Sequence, residues 1–345
     1  MKKWLIGLTS LTLVLSACNS ESSEGEVNAS SEEPLTMVWY PNESGNELTD
    51  ARDAIGGIIE EATGRTVEHE LTTDYAIAIE SLVNDNADIA FTGAEGYIQA
   101  KERNDALTPI AVASGPSGTE EDALYYSWFA ATPENMSQYE SGEGEYGLDN
   151  FEDKNFSFVS TSSTSGFKVP GTTLVSHFGE KEGYENLEID QLAQSGTLFD
   201  EVMFGNTHQG SAVNLLTGKA DIAAFCDSCV ENYVELSEGE DNVPGSIYKV
   251  SEGAEAPFQD LAGEEFGILS ATPVLNAPFI ANGNTVDEEA ITALTEAFTS
   301  EEVANNESIF LPEDSDMNGL FSKSGEEQFV HVEDSWFDPI RELGQ

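Results

Sequence analysis

Basic side chains are scarce in this 345-residue chain, which has 13 Lys and Arg against 65 Asp and Glu and a formal net charge of −52. Nucleic acids bind proteins through basic surfaces that neutralise phosphates, so this deficit excludes a nucleic-acid partner. It equally excludes docking onto anionic lipid headgroups through a basic face. The 18 Phe, 10 Tyr and 30 Gly nevertheless favour a folded core, and the length predicts two domains or one large one.

Long apolar runs are also missing, since no stretch reaches the roughly 18 residues that a membrane span requires. The N-terminus does carry Lys2 and Lys3, a short apolar run and small residues, which are typical of a secretory leader. Leu15-Ser16-Ala17-Cys18 resembles a bacterial lipobox. The resemblance implies a signal peptide over 1–17 and a lipidated Cys18; an ordinary secretory peptide is the alternative.

Residues 18–34 contain little that a core could bury, and they are rich in Ser and Glu. Like charges and small polar residues keep such a segment extended, so we expect a flexible acidic tether between the lipid and the folded part. The protein is therefore expected to work outside the cytoplasm, anchored to the cell membrane through Cys18.

The acidic residues are spread along the whole chain, and only nine Lys accompany them. This composition indicates adaptation to high salt or to alkaline surroundings. At molar salt the Debye length falls to about 3 Å, which screens the repulsion between the carboxylates. We therefore expect the melting temperature to fall when the protein is moved from molar to millimolar salt; an unchanged value would contradict this interpretation.

Strand-like and helix-like segments alternate from residue 35 onward. The pattern predicts strands at 35–40, 67–71 and 87–91, a helix over 54–62 that ends at Gly64, and a helix over 75–82. A looser second series predicts strands at 156–160, 200–204 and 220–225, with helices after Gly166 and over 212–216. Such alternation favours α/β lobes with mostly parallel sheets, and a ligand crevice lined by strand-to-helix loops.

Two short segments echo each other across these series, Ala87-Asp88-Ile89-Ala90 and Ala220-Asp221-Ile222-Ala223. Each follows an amphipathic helix. The echo is either a common way to enter a strand or an equivalent role in two similar lobes.

Several motifs together resemble the PhnD-like phosphate/phosphite/phosphonate substrate-binding proteins of ABC transporters. They are Thr73-Asp74-Tyr75-Ala76, Asn86 to Phe91, Tyr125-Tyr126-Ser127, Ser162-Ser163-Thr164-Ser165-Gly166-Phe167-Lys168-Val169-Pro170, Thr207-His208-Gln209 and Gly218 to Ala223. The resemblance implies a two-lobed periplasmic-binding-protein fold of type II-like form, with a ligand cleft between the lobes. Lobe one would comprise 35–126 and 275–345, lobe two 127–274, and 126–130 and 271–275 would be the hinge strands.

Ser163-Thr164-Ser165-Gly166 is the candidate anion site. Three short hydroxyls donate hydrogen bonds, glycine lets backbone N–H groups approach closely, and the positive end of a helix favours negative charge. Pro170 fits an early helical position. The alternative is an ordinary Ser/Thr helix cap.

Other candidate ligand-binding residues come from the resemblance: Tyr75, Tyr125, Tyr126, His208 and Gln209. Relatives that bind an aminoethyl phosphonate resemble Gly-His-Glu where this chain has Thr207-His208-Gln209. The missing carboxylate predicts phosphate, phosphite or a simple alkylphosphonate, although Asp227 could substitute for it.

Cys226 and Cys229 form a C-x-x-C motif. Zinc is disfavoured because the chain has only four His and no second C-x-x-C. A local disulfide and a redox motif both remain open.

Two rival functions stay open beside a non-enzymatic carrier. Ser165, His208 and Asp221 could serve a secreted hydrolase, although no Gly-x-Ser-x-Gly elbow is present. The third candidate is a thiol-disulfide lipoprotein. We favour a lipid-anchored binding protein that captures an oxyanion and delivers it to an ABC permease, with no cofactor and no metal.

Overall fold

A computed structural model describes residues 33–142, 144–312, 315 and 318–344, so the predicted leader, Cys18 and the tether before residue 33 lie outside the described residues. Over these ranges the strands are β1 (Leu35–Trp39), β2 (Val67–Leu71), β3 (Ile89–Phe91), β4 (Leu107–Ala113), β5 (Leu124–Ala131), β6 (Glu140–Gly142), β7 (Glu145–Tyr146), β8 (Asn155–Phe158), β9 (Glu201–Phe204), β10 (Ile222–Cys226), β11 (Val234–Glu238), β12 (Ile247–Val250), β13 (Glu265–Leu275), β14 (Pro278–Asn282), β15 (Phe310–Pro312), β16 (Phe321–Lys323) and β17 (Phe329–Val330). The helices are α1 (Thr49–Thr63), α2 (Tyr75–Val83), α3 (Ala94–Lys101), α4 (Val169–Phe178), α5 (His208–Leu216), α6 (Glu288–Phe298), α7 (Glu301–Ala304) and α8 (Asp338–Arg341). No helix within the described ranges is both long and apolar enough to span a membrane.

The strands form two large sheets. The first has the order β17-β4-β14-β3-β1-β2, and the second has the order β11-β12-β13-β5-β10-β8-β9. β1 is parallel to β2 and β3, and β8 is parallel to β9 and β10, whereas the other pairings in both sheets are antiparallel. The prediction of mostly parallel sheets is therefore wrong. Helical crossovers link the parallel strands, while strands that arrive from the other sheet or through hairpins run antiparallel.

The chain passes between the sheets twice. It leaves the first sheet after β4 and enters the second at β5, then returns from β13 to β14. β5 and β13 pair antiparallel with Ser127 opposite Thr272, so the two segments expected to form the hinge lie side by side. The predicted lobe boundaries fall within β5 and near the end of β13.

The two echoing segments have the same role in the two sheets. The Asp88 carboxylate accepts a hydrogen bond from the N–H of Thr36 at 2.7 Å, and the Asp221 carboxylate accepts one from the N–H of Asn155 at 2.9 Å. Each aspartate thus pairs a backbone donor near the start of the neighbouring parallel strand. The echo reflects an equivalent structural role.

Each sheet has an apolar cluster of its own, and a third buried cluster includes residues of both sheets. In the first, Ile55 and Ile59 of α1 belong to one buried cluster with Met37 and Phe298. In the second, aromatic rings dominate, and Phe156 stacks on Phe199 with ring centroids 4.5 Å apart. Burying rings of this size contributes several kcal/mol per sheet and fixes the strand ends that carry the polar residues described below.

Candidate functional site

A cavity of about 250 Å³ lies at the carboxyl ends of strands from both sheets. Tyr40 follows β1, Thr92 follows β3, Ser163 follows β8, His208 follows β9 and Asp227 follows β10, and all five line the cavity. This is the location expected for a ligand in open α/β sheets. The volume lies below the roughly 300–1,000 Å³ of sites for drug-sized molecules, so the cavity suits a small ligand.

The Ser163-Thr164-Ser165-Gly166 segment forms a helix start, as the sequence predicts. Ser163 is the N-cap residue, and its Oγ accepts a hydrogen bond from the N–H of Gly166 at 3.1 Å. Residues Thr164–Lys168 form a single π-helical turn before α4, which the sequence pattern did not indicate. π-Helical turns inside helices are frequent at functional sites.

The three hydroxyls of this segment are all buried, but they have different partners. Ser163 Oγ lies 3.3 Å from His208 Nε2, and Thr164 Oγ1 accepts a hydrogen bond from the N–H of Glu95 at 2.9 Å. Ser165 Oγ is fully enclosed and has no hydrogen-bond partner among the described residues. Ser163 and Thr164 line the cavity, while Ser165 lies in the same turn outside its lining.

Gly166 has a different role from the one the sequence predicted. Its N–H is already paired with Ser163, and a Cβ at this position would lie 2.3 Å from Val159 Cγ2. The glycine therefore permits close packing of the turn on Val159.

His208 begins α5, and Thr207 caps this helix by accepting a hydrogen bond from the N–H of Gly210 at 2.7 Å. Nδ1 of His208 accepts the N–H of Cys226 at 3.0 Å, which places the ring hydrogen on Nε2. Burial lowers the pKa of His208 to about 3, so the ring is neutral at physiological pH. His208 is therefore a neutral donor that points toward Ser163.

Asn42 joins the two sheets at this cavity, and sequence reasoning missed it. Its Oδ1 accepts the N–H of His208 at 3.1 Å, and its Nδ2 donates to the Tyr75 hydroxyl at 2.6 Å. Gln209 Nε2 donates to the carbonyl oxygens of Asn42 at 3.3 Å and Cys229 at 3.0 Å. Gln209 Oε1 is buried without a partner among the described residues.

Tyrosine hydroxyls supply further neutral donors. Tyr75 and Tyr125, two of the candidate ligand-binding residues, line the cavity, and burial raises the pKa of each phenol above its usual range. Tyr126 does not line the cavity; its backbone N–H donates to Asp227 at 2.9 Å. Tyr40 and Thr92 were missed, although their buried hydroxyls lack partners among the described residues. Their position directly after β1 and β3 is the signal that could have identified them.

Carboxyl groups also line the cavity, namely Glu43, Asp227, Glu231 and Glu327, whereas no Lys or Arg of the described chain does. Burial raises the pKa of Glu43 to about 8 and that of Asp227 to about 6. Gln209 alone therefore does not decide whether an acidic group faces the ligand.

Cys226 and Cys229 form a disulfide, with Cα atoms 5.4 Å apart. The loop that it closes carries the N–H that bonds His208 and the carbonyl oxygen that bonds Gln209. His208 and the two sulfur atoms lie within 4.8 Å of one another, but disulfide sulfurs are not thiolate ligands for a metal. The disulfide thus positions two cavity residues.

The arrangement does not suit a hydrolase. The Asp221 carboxylate is paired with the N–H of Asn155, and His208 Nδ1 accepts from a backbone donor where a triad would need an acidic partner. His208 therefore lacks the orienting carboxylate of a catalytic triad.

Comparisons with known proteins agree with this geometry. The profile of the family described as "ABC transporter, phosphonate, periplasmic substrate-binding protein" matches residues 37–337. A curated relative, the phosphate-import protein PhnD of Mycolicibacterium smegmatis, is 26% identical over 241 residues, covering 70% of this chain and 69% of the relative.

Solved structures share the fold. PhnD1 of Prochlorococcus marinus in complex with methylphosphonate has a TM-score of 0.63 and 15% identity, covering 90% of this chain and 96% of that protein. A binding-protein component of a Pseudomonas aeruginosa ABC phosphonate transporter has a TM-score of 0.60 and 18% identity, covering 90% and 86%. The expected binding-protein fold, the PhnD-like resemblance and the non-enzymatic role are confirmed. The chain belongs to the family of periplasmic substrate-binding proteins of phosphonate ABC transporters, and it is the substrate-binding component of such a transporter.

Proposed function

We propose that the cavity between the two sheets binds phosphate, phosphite or a simple alkylphosphonate through neutral donors. The observation that carries this assignment is the set of buried polar atoms that lack partners in the described part of the chain: Tyr40 Oη, Glu43 Oε2, Thr92 Oγ1, Ser165 Oγ and Gln209 Oε1. All but Ser165 belong to residues that line the cavity. Buried polar groups without partners are costly, so their concentration here indicates a ligand that satisfies them.

Neutral donors suit an anion site in a chain of net charge −52. Hydroxyl and imidazole donors act at hydrogen-bond range, whereas salt screens the distant carboxylates. Gln209 Oε1 can only accept a hydrogen bond, so it favours an anion that carries an O–H group, such as a monoprotonated phosphorus anion.

The two sheets would serve as lobes, 35–126 with 275–345 and 127–274, that close on the ligand about β5 and β13. The hydrogen bonds of Asn42 to His208 and Gln209 support a closed form because they join the two sheets beside the cavity. The closed protein would then deliver the anion to the membrane permease of its transporter.

Isothermal titration calorimetry with phosphate, phosphite, methylphosphonate and sulfate tests the ligand assignment. We expect heat of binding with at least one phosphorus anion and at least about tenfold weaker binding of sulfate, which carries no hydrogen at neutral pH and leaves Gln209 Oε1 unpaired. Absence of binding by all three phosphorus anions at millimolar concentration would contradict the assignment.

We further propose that Cys18 is lipidated and holds the protein at the outer face of the cell membrane. The lipobox-like Leu15-Ser16-Ala17-Cys18 supports this anchor. In a bacterial host, Cys18→Ser is expected to move the protein from the membrane fraction to the soluble extracytoplasmic fraction and to remove the mass of the lipid. Equal membrane association of both forms would argue against the anchor.

A further inference from the structure

Glu43 is an unexplained carboxyl group in the anion-binding cavity. It ends a short 3₁₀ turn, Pro41–Glu43, directly after β1. The residue as a whole is half-buried, but its Oε2 is fully enclosed and has no hydrogen-bond partner in the described chain. Burying a carboxyl oxygen without a hydrogen-bond partner raises the free energy of the protein. We therefore expect the ligand to supply the missing partner.

The groups that face Glu43 do not neutralise it. The hydroxyls of Tyr40, Tyr75 and Tyr125 lie close enough that a charge on Glu43 raises the pKa of each phenol. Burial raises the pKa of Glu43 and outweighs the Asn42 side chain and Arg52, which both lower it. The Arg52 guanidinium itself donates to the carbonyl oxygens of Glu43 and Gly45 and to a threonine hydroxyl, not to the Glu43 carboxylate.

The other titratable groups of the cavity offer Glu43 no cation either. His208 is neutral because burial lowers its pKa to about 3, and Asp227, Glu231 and Glu327 are acids. An ionised Glu43 would therefore repel the bound anion, whereas a protonated Glu43 would be one more neutral donor among the hydroxyls.

We propose that Glu43 is a ligand-binding residue that keeps a proton in the complex and donates a hydrogen bond from its enclosed carboxyl oxygen to the bound phosphorus anion. In alkaline solution, where the free protein has lost this proton, ligand capture is therefore coupled to proton uptake. This inference rests on the proposed function, because it assumes that the cavity binds such an anion.

The pKa of Glu43 in the unliganded protein determines whether ligand affinity rises or falls with pH. Burial raises the pKa of Glu43 to about 8, and a bound anion that accepts its hydrogen bond raises that pKa further. Below pH 8 the free protein already holds the proton. Above pH 8 binding must restore it, so the affinity falls by up to about tenfold per pH unit until the pKa of the complex is reached.

Calorimetric titration of wild type and Glu43→Gln with phosphate, methylphosphonate and 2-aminoethylphosphonate, from pH 6.5 to 9.5, tests the proposal. Glutamine keeps a donor but cannot titrate, and the titration of the ligand and of Asp227 is common to both proteins. We expect the dissociation constant of wild type to rise relative to that of Glu43→Gln by about tenfold or more above pH 8. At pH 9, titrations in two buffers of different ionisation enthalpy should show that wild type takes up more protons than the variant.

Glu61→Gln is the matched control, because Glu61 is an exposed acid of α1 outside the cavity. It should reproduce the wild-type pH profile. Parallel profiles for wild type and Glu43→Gln would overturn the role of Glu43. So would a loss of affinity in Glu43→Gln confined to 2-aminoethylphosphonate, since that would make Glu43 an ammonium partner. If wild type binds none of these anions at any pH, the proposed function itself fails.

Discussion

Ser165→Ala is expected to weaken the binding of phosphate or methylphosphonate by about 5- to 150-fold while the melting temperature of the unliganded protein stays equal or rises. Ser165 Oγ is enclosed and unpartnered among the described residues, so in the unliganded protein its desolvation is not offset by a hydrogen bond. The Tyr125 phenol is its polar neighbour, but no hydrogen bond of normal geometry joins the two, so we expect removal of the Ser165 hydroxyl to cost the free protein little. Ser165 follows Thr164 in the turn that borders the cavity, and we expect its hydroxyl to turn toward the bound anion and donate to it. The loss of such a donor costs about 1–3 kcal/mol, which corresponds to that loss of affinity.

Ser246→Ala is the control, because it should lower stability without changing ligand affinity, the reverse of Ser165→Ala. Ser246 Oγ donates to the Glu240 carbonyl oxygen at 2.7 Å and accepts the Glu240 N–H at 3.0 Å, and the residue lies outside the cavity lining. It should lower the melting temperature and leave the calorimetric affinity unchanged. If Ser165→Ala behaved in this way instead, Ser165 would be a structural residue and not a ligand donor.

The alternation of strands and helices could be predicted from the sequence because it depends on local periodicity. The helix predicted to end at Gly64 does so, with Gly64 in the left-handed region at φ 69°. The strand directions could not be predicted. β14 pairs with β3 and β4 across more than 160 positions of sequence, as with Ala281 opposite Thr108, and nothing local in these segments specifies the pairing.

Some residues of the candidate site could also be predicted from local sequence, whereas others depend on long-range contacts. Ser163 and Thr164 could be identified because the hydroxyls, the glycine and the helix start occur within one short segment. Asn42 and Glu43 could not, since each looks like an ordinary loop residue until the two sheets face each other. The role of Asn42 in the site depends on its contacts with His208 and Gln209, which are 166 and 167 residues away in the sequence.

Gly166→Ala is expected to lower both the stability and the affinity of the protein. The added Cβ would lie 2.3 Å from Val159 Cγ2, 2.4 Å from Val159 Cβ and 2.8 Å from Ser163 Oγ. Val159 is fully buried, is stiff at χ1 and donates its N–H to the Gly166 carbonyl oxygen at 3.2 Å, so neither residue can move away alone. Overpacking of this kind costs about 1–3 kcal/mol or more, and the displaced Ser163 hydroxyl should reduce anion affinity by at least about tenfold.

Gly57→Ala is the matched control, because Gly57 lies in α1 and a Cβ there meets no atom within 4 Å. Alanine at this helical position should raise the free energy of unfolding by about 0.5–1 kcal/mol and leave the affinity unchanged. Thermal melts and calorimetry on Gly166→Ala and Ser165→Ala distinguish a residue that packs the turn from one that donates to the ligand. Gly166→Ala should lose stability and affinity together, whereas Ser165→Ala, one residue away, should lose affinity alone. Wild-type values for Gly166→Ala would show that the turn is not packed against Val159, and equal losses of stability in both variants would show that the Ser165 hydroxyl supports the fold.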